Sequence, residues 1–302
     1  MNEIATAPFV SVVICTYNRK RLLKMCLSSI YAQDYPESNF EVIVVDGGST
    51  DDTKELCKEF PKIRFVIEKR SGLAYARNKS VELSRGSIVV YTDDDCVVAR
   101  QWLENLVAGF HFSGSVVGVG GPVYSLDPEV IPQRILVQAA LGLHSDGESV
   151  KVVRSLIGAN FAFKREVFKI TRFDEKFGRA NATKLGKLML SGEDTEFCHS
   201  LTDSGYTLLY TPYAKVYHQI RKERLRVSYI LRHAIYNGLS QAKGLLKRYP
   251  RIVATRHAFS ETGQFLLALK HDRSFTSCYN LVYSLTAFLT IITGLDKIFR
   301  IS

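Results

Sequence analysis

The chain is poor in the signatures that usually settle a protein's class. Its six cysteines (Cys15, Cys26, Cys57, Cys96, Cys198 and Cys278) include no CxxC pair and no metal-type spacing, so they read as small hydrophobes in a reducing compartment. No GxGxxG opens a helix. The GVGG at residues 118–121 ends a strand-like run instead, so a dinucleotide cofactor is not expected. The first residues, MNEIATAPF, carry neither a basic n-region nor a long apolar core, and no secretory signal is expected. Acidic residues are scarce in one region only. Residues 1–218 hold 26 basic and 26 acidic groups, whereas 219–302 hold 14 and 4. The net charge of +10 therefore belongs to the C-terminal part.

What is present is a globular composition, 46% hydrophobic and 23% charged over 302 residues, enough for one large core plus an extension. Short β-branched runs, VSVVICT (Val10 to Thr16), EVIVVD (Glu41 to Asp46), IRFVIE (Ile63 to Glu68) and SIVVYT (from Ser87), read as buried parallel strands. Helical patterns alternate with them. RLLKMCLSSIYAQ places Leu22, Leu23, Cys26, Leu27 and Ile30 on one face. STDDTKELCKEF predicts a helix capped by Ser49 or Thr50, and another is predicted over 74–84. Strict alternation predicts a right-handed, doubly wound α/β layer. Further on, GANFAFKREVF reads as a strand leading into a helix, SGEDTEFCHSLTDSGY as a helix stopped by Gly205, and TLLYTPYAKVYH as a broken strand ending at His218.

Ligands of such sheets bind beyond the carboxyl ends of the strands. Three polar clusters are predicted there: TYNR (Thr16 to Arg19), Asp46-Gly47-Gly48, and the aspartates of YTDDDC, Asp93, Asp94 and Asp95. A single Asp is common in a turn, but three in a row repel one another and call for a counter-charge. A hard divalent ion such as Mg²⁺ or Mn²⁺ would supply it, and such ions bind through one or two carboxylates plus substrate phosphates. A phosphorylated substrate is expected.

The segments SVVICTYNR, VIVVDGGSTDDT, SGLAYARNKSV, VVYTDDDC and GEDTEFCHSL, in that order between Val10 and His218, resemble family 2 of the inverting glycosyltransferases, which have the GT-A fold. The resemblance implies a catalytic domain over 1–218, with a nucleotide-sugar half over about 1–121 and an acceptor half over about 122–218. It implies a nucleoside diphosphate sugar as donor. Thr16, Tyr17 and Arg19 would line the base pocket, and Asp46 would accept the N3–H of a uracil-like base. Gly72 would allow close approach, and Arg77 would reach the base or phosphates. Asp93 and Asp94 would lie near the ribose. Asp95 would bind Mn²⁺ or Mg²⁺, with His218 as a second ligand or as a structural or phosphate-facing His. Asp194 would be the general base, Glu193 would orient the acceptor or the base, and Asn160 would contact a sugar. A cation bridging the diphosphate would stabilise the leaving group.

The matching motifs end near His218, and 219–302 reads as a basic helical extension. Ten basic residues and one acidic, Glu223, lie between Gln219 and Arg256, which suits an anionic membrane surface. Charge alone would admit nucleic acid, but no recognition motif accompanies it, so none is expected. Residues 274–295 carry no charge and are long enough to span a bilayer. Leu281, Leu285, Phe288, Ile292 and Leu295 share a face, which favours an interfacial or packed helix over a span. The expectation is a transferase at the cytosolic face of the cell membrane, acting on a lipid-linked, polysaccharide or glycan acceptor. A homodimer through the C-terminal helices stays open. Two rivals also stand. A sugar nucleotidyltransferase would want a glycine-rich triphosphate loop, and TYNRKR has no glycine. A non-catalytic nucleotide-, glycan- or membrane-binding protein on the same scaffold would bind nucleotide without turnover.

Overall fold

The computed structural model describes residues 7–131, 138–177, 182–183, 186–187, 192–271 and 275–293. The chain divides into two compact units. The first comprises residues 1–126, 143–174 and 194–219; the second comprises 127–142, 175–193 and 220–302. The C-terminal helices thus share their unit with two internal segments.

The first unit holds the predicted alternation. It runs β1 (Val10–Thr16), α1 (Lys20–Tyr31), β2 (Phe40–Asp46), α2 (Thr53–Lys58), β3 (Ile63–Ile67), α3 (Leu73–Leu83) and β4 (Ile88–Asp93). These four strands are parallel, in the order β3-β2-β1-β4. Alternate residues of β1 face opposite layers. Val10, Val12 and Ile14 pack with Leu23, Cys26, Leu27 and Ile30 of α1, whereas Val13 packs with Ala74 and Val81 of α3. Burial on both faces is why these strands read as continuous apolar runs.

After β5 (Cys96–Val98) and α4 (Trp102–Gly109) come β6 (Val116–Gly120) and β7 (Val123–Ser125), then α5 (Gln138–Leu141) of the second unit, and β8 (Lys151–Val153) and β9 (Asn160–Lys164). The predicted helix after β9 is a five-residue 3₁₀ turn, Arg165–Lys169. Two short strands, β10 (Ala182–Thr183) and β11 (Gly186–Lys187), pair with each other in the second unit. Then α6 (Glu193–Asp203), β12 (Thr207–Tyr210) and β13 (Val216–His218) follow. Beyond β4 the large sheet continues β9-β6-β12-β8, with β9 and β8 antiparallel to their neighbours. A second sheet has the order β5-β13-β7. The broken strand is therefore two strands in two sheets. The GVGG turn has a packing reason: a Cβ on Gly121 would sit 2.2 Å from the Ala214 carbonyl oxygen.

The second unit is dominated by α7 (Val227–Arg248), α8 (Arg251–His271) and α9 (Phe275–Thr293). Among the described residues no helix is long and apolar enough to cross a membrane. The architecture is α/β with a large, mostly parallel sheet and a helical C-terminal region, as the sequence led us to expect.

Candidate active site

The parallel strands end together. Thr16 at the end of β1 lies opposite Asp46 at the end of β2, and Cys15 lies opposite Asp93 at the end of β4. Asp94 and Asp95 then form the turn into β5. The three polar clusters thus meet along one sheet edge.

Both turn aspartates are buried. Thr16 Oγ1 donates to Asp94 Oδ2 at 2.7 Å. Arg19 Nη1 donates to Asp94 Oδ1 at 2.7 Å and to Asp95 Oδ2 at 3.3 Å. The counter-charge brought to the aspartates is thus a guanidinium; Arg19, expected to line the base pocket, reaches the carboxylates. Burial, together with the Asp95 charge, pushes the Asp94 carboxyl up to about 6 despite the opposing pull of Arg19 and Thr16. The other oxygen of Asp95, Oδ1, is 3.2 Å from His218 Nε2. His218 is positioned by β13, paired with Cys96 on one side and Ser125 on the other. The Ser125 hydroxyl oxygen is buried and has no hydrogen-bond partner among the described residues. Carboxylate and imidazole donors beside an orphaned hydroxyl fit a divalent cation chemically. Among the described residues, no group of three or more His, Cys, Asp or Glu side chains gathers to hold a metal.

At the ends of β1 and β2 the connecting loops are stitched together. Asn18 adopts a left-handed φ of 52°, a conformation Asn tolerates better than most residues. Its amide oxygen accepts from Thr50 N at 2.7 Å, and its N–H donates to Ser49 Oγ at 2.7 Å. Asp46 Oδ2 accepts from Gly48 N at 3.1 Å and Ser49 N at 2.8 Å, while Ser49 Oγ donates to Oδ1. Ser49 is therefore no helix cap; the position before α2 is Asp52. Tyr17 is 58% exposed and its ring covers Gly47, where a Cβ would come within 3.2 Å of it. An exposed ring beside an anchored carboxylate can stack on a planar base. The sequence placed Asn18 in the TYNR cluster and Ser49 at a helix start without linking them, although Asn at a strand end is a turn signal. Gly72 begins α3 at φ 142°, a backbone geometry open to glycine.

A second constellation surrounds Asp194 in the first turn of α6. Its Oδ2 accepts from Gly158 N at 2.9 Å and its Oδ1 from Thr195 N at 2.8 Å. The Gly158 carbonyl accepts from Arg77 Nη2 at 3.2 Å. The backbone of one residue, through its N–H on one side and its carbonyl on the other, thus links the two ionic groups, and a Cβ on Gly158 would lie 2.5 Å from Arg77 Nη2 and 2.9 Å from Asp194 Oδ2. Arg77 is 2% exposed, its guanidinium 5.1, 5.4 and 5.9 Å from the ring centres of Phe161, Phe173 and Tyr91. Such a cage favours a cation and fixes the guanidinium beside Gly158. Glu193 is buried at the start of the helix. Asn160 is fully buried. Its amide N–H groups go to the carbonyls of Pro122 and Ala214, at 2.9 and 2.7 Å, and its oxygen accepts from Trp102 Nε1 at 2.8 Å. The side chain expected to touch a sugar is spent on holding β9 to its neighbours.

A large, mostly parallel sheet with ligand groups at its carboxyl edge is the arrangement of GT-A-fold enzymes. The chain aligns with the mannosyltransferase PcManGT of Pyrobaculum calidifontis, solved in complex with GDP-Man and Mn²⁺, over 99% of its own length and 77% of that chain. The TM-score is 0.54 at 22% identity, a likeness of fold. Residues 11–172 match the model of glycosyl transferase family 2, and the chain belongs to that family. Among its relatives, glycosyltransferase AglE of Haloferax volcanii is 32% identical over 211 residues, which is 68% of this chain and 65% of that protein. The glucosyl-dolichyl phosphate glucuronosyltransferase of the same organism is 27% identical over 244 residues, 77% of this chain and 76% of that protein.

Proposed function

We propose that the protein is an inverting glycosyltransferase that moves a sugar from a nucleoside diphosphate sugar, with uridine favoured, to a hydroxyl of a lipid-linked, polysaccharide or glycan acceptor. The observation that carries this is the anchored carboxylate of Asp194, fixed through Gly158 on the same scaffold as the aspartate edge. The relative named for glucosyl-dolichyl phosphate supports a lipid-linked acceptor.

The base lies on Tyr17, and Asp46 accepts its N–H. Asp93 and Asp94 face the ribose. Arg19 exchanges its carboxylate partners for the donor's phosphates, where its planar fork suits bidentate contact. Asp95 and His218 would hold Mn²⁺ or Mg²⁺, which when bound supplies positive charge to the departing diphosphate. Asp194 takes the proton of the attacking hydroxyl, a contribution worth about 10²–10⁴ in rate. Arg77 is a positioning residue: it fixes the carbonyl of Gly158, and the N–H of the same residue fixes Asp194. The reading includes a peripheral contact of 219–302 with the inner face of the cell membrane.

The test is calorimetric titration with UDP, GDP, dTDP and CDP, each with and without Mn²⁺. Tight binding of one diphosphate only with metal would support the reading and name the donor. If none binds under either condition, the aspartates are a structural turn and the proposal fails. Binding without turnover on any acceptor would favour a non-catalytic nucleotide-binding protein.

A further inference from the structure

The three long helices of the second unit bury Ile230, Leu239, Leu245, Tyr279 and Ile291 but leave a row of other large apolar side chains facing outward. Several of the contacts where they meet are made by small residues. A Cβ on Gly238 of α7 would fall 2.4 Å from the Tyr283 carbonyl oxygen and 2.8 Å from Thr286 Cβ on α9. Ala234 of α7 packs with Tyr279 of α9. Ala242, Ala254, Ala258 and Ala287 pack together with Leu245 and Ile291 farther along. On α9 the buried positions include Ser277, Ser284, Ala287 and Thr290, whereas Leu285, Leu289 and Ile292 are 40–48% exposed. On α8 the exposed large apolar residues include, among the described side chains, Ile252, Phe259 and Leu266; on α7 they include Val227, Leu231 and Ile235. Phe259 touches Phe288 with ring centres 5.6 Å apart, so the outward faces of α8 and α9 are joined.

A water-solvated helix turns its apolar stripe to the core and shows polar residues outside, whereas each of these helices also shows three large apolar residues on its outward side. An outward apolar row beside basic residues is the surface an interfacial helix presents to lipid. The hydroxyls are compatible with that medium. Thr286, Thr290 and Thr293 each donate to the carbonyl four residues earlier, and Thr262 of α8 does the same, leaving no unbonded donor in these side chains.

We propose that the outward faces of α7, α8 and α9 seat in the interfacial layer of an anionic lipid bilayer, lying in its plane without crossing it. Charge selects this occupant over a second copy of the chain. Exposed Arg232 on α7 sits between Leu231 and Ile235, and exposed Arg256 on α8 lies between Ile252 and Phe259. A second copy would carry the same positive excess, whereas anionic headgroups complement it. The length of α9, 19 residues, allows burial along its side to the depth of the headgroup boundary. This sharpens the peripheral contact included above, but it does not depend on the transferase chemistry and is tested without donor or acceptor.

The experiment is co-sedimentation of the full chain with phosphatidylcholine vesicles, with and without phosphatidylglycerol. Binding to the anionic vesicles is expected, surviving in part at high salt. The double variant Leu285→Glu/Leu289→Glu should weaken it by about tenfold or more. Arg232→Gln/Arg256→Gln should weaken it less and flatten its salt dependence. Cys278 gives a readout that needs no substitution. It is an exposed free thiol, whereas the remaining cysteines are buried or partly buried. It lies seven residues before Leu285, on the same stripe of α9, so a polarity-sensitive dye there should shift blue when vesicles are added. Three results would overturn the proposal. One is no binding to either vesicle. Another is binding that the glutamates leave unchanged and salt abolishes. The third is a dimer in analytical ultracentrifugation that the same glutamates dissociate, with no dye shift on vesicles.

Discussion

The large sheet holds a buried carboxylate near each end, and the two live in opposite circumstances. Glu41, at the start of β2, accepts from Ser11 Oγ at 2.8 Å, Arg85 N at 2.8 Å and Arg85 Nε at 3.0 Å. Burial raises its carboxyl, but the hydrogen bonds from Arg85 and Ser11 outweigh that and hold it below the ordinary range. Asp94, past the end of β4, has Thr16 and Arg19 but also a carboxylate as its sequence neighbour, and it is pushed up to about 6. One end of the sheet has spent its electrostatics on folding. The other gathers two buried carboxylates against a single guanidinium, and a carboxyl raised in this way is a common mark of a functional site.

If that division is right, the two ends should fail differently. The largest effect belongs to the ligand edge. Asp194→Asn keeps the shape of the side chain but offers one acceptor oxygen to the N–H groups of Gly158 and Thr195, and it cannot take a proton. Transfer should fall by about 10²–10⁴ while nucleotide affinity stays near that of the unmodified protein and the melting temperature falls only slightly, for the one hydrogen bond lost. Loss of nucleotide binding in the same variant would make Asp194 part of the donor site and remove it from the role of base.

The next comparison is between Arg19→Met and Glu41→Gln, each read by urea unfolding with and without Mn²⁺. Arg19→Met leaves Asp94 and Asp95 buried without the guanidinium and should cost about 3 kcal/mol, recovered in part by the cation. Glu41→Gln loses an ionic acceptor and should cost about 1–3 kcal/mol, with no recovery and unchanged transfer per folded molecule. Equal recovery in both variants would mean the cation acts on the fold at large, and the contrast between the ends would collapse.

The parallel half of the sheet was legible because each strand is buried on both faces and each helix on one, so sequence periodicity and burial coincide. The aspartate edge was legible for the same reason, since topology alone brings the strand ends together. What stayed hidden depended on partners far along the chain. Arg19 lies 75 residues from Asp94, and nothing near TYNR announces that pairing. Asn160 stands in a promising segment, yet its amide is consumed by Trp102, Pro122 and Ala214. Arg77 was read as a donor contact because helix spacing cannot reveal a cage built from Tyr91, Phe161 and Phe173. The outward apolar face of α9 was visible as a shared stripe. That its opposite face packs in part against Gly238 and alanines of the neighbouring helices was not, because small residues leave no strong periodic signal.

The smallest effect distinguishes the two carboxylates by the sign of their pH dependence. Asp94 has a folded pKa of about 6 against an unfolded value of about 4, so between those values the folded metal-free chain binds more protons than the unfolded one. Stability from this residue is full below about pH 4 and is lost as pH rises through about 6. Glu41 is lowered, so its contribution is present above its unfolded value, about 4.3, and is lost as pH falls through its folded one. In metal-free buffer, Asp94→Asn should flatten the decline in unfolding free energy between about pH 4 and 6. Glu41→Gln should flatten only the acid limb. Adding Mn²⁺ to the unmodified chain should reproduce the first change and not the second, because a cation at the aspartate edge favours the ionised carboxylates there and has no counterpart beside Arg85.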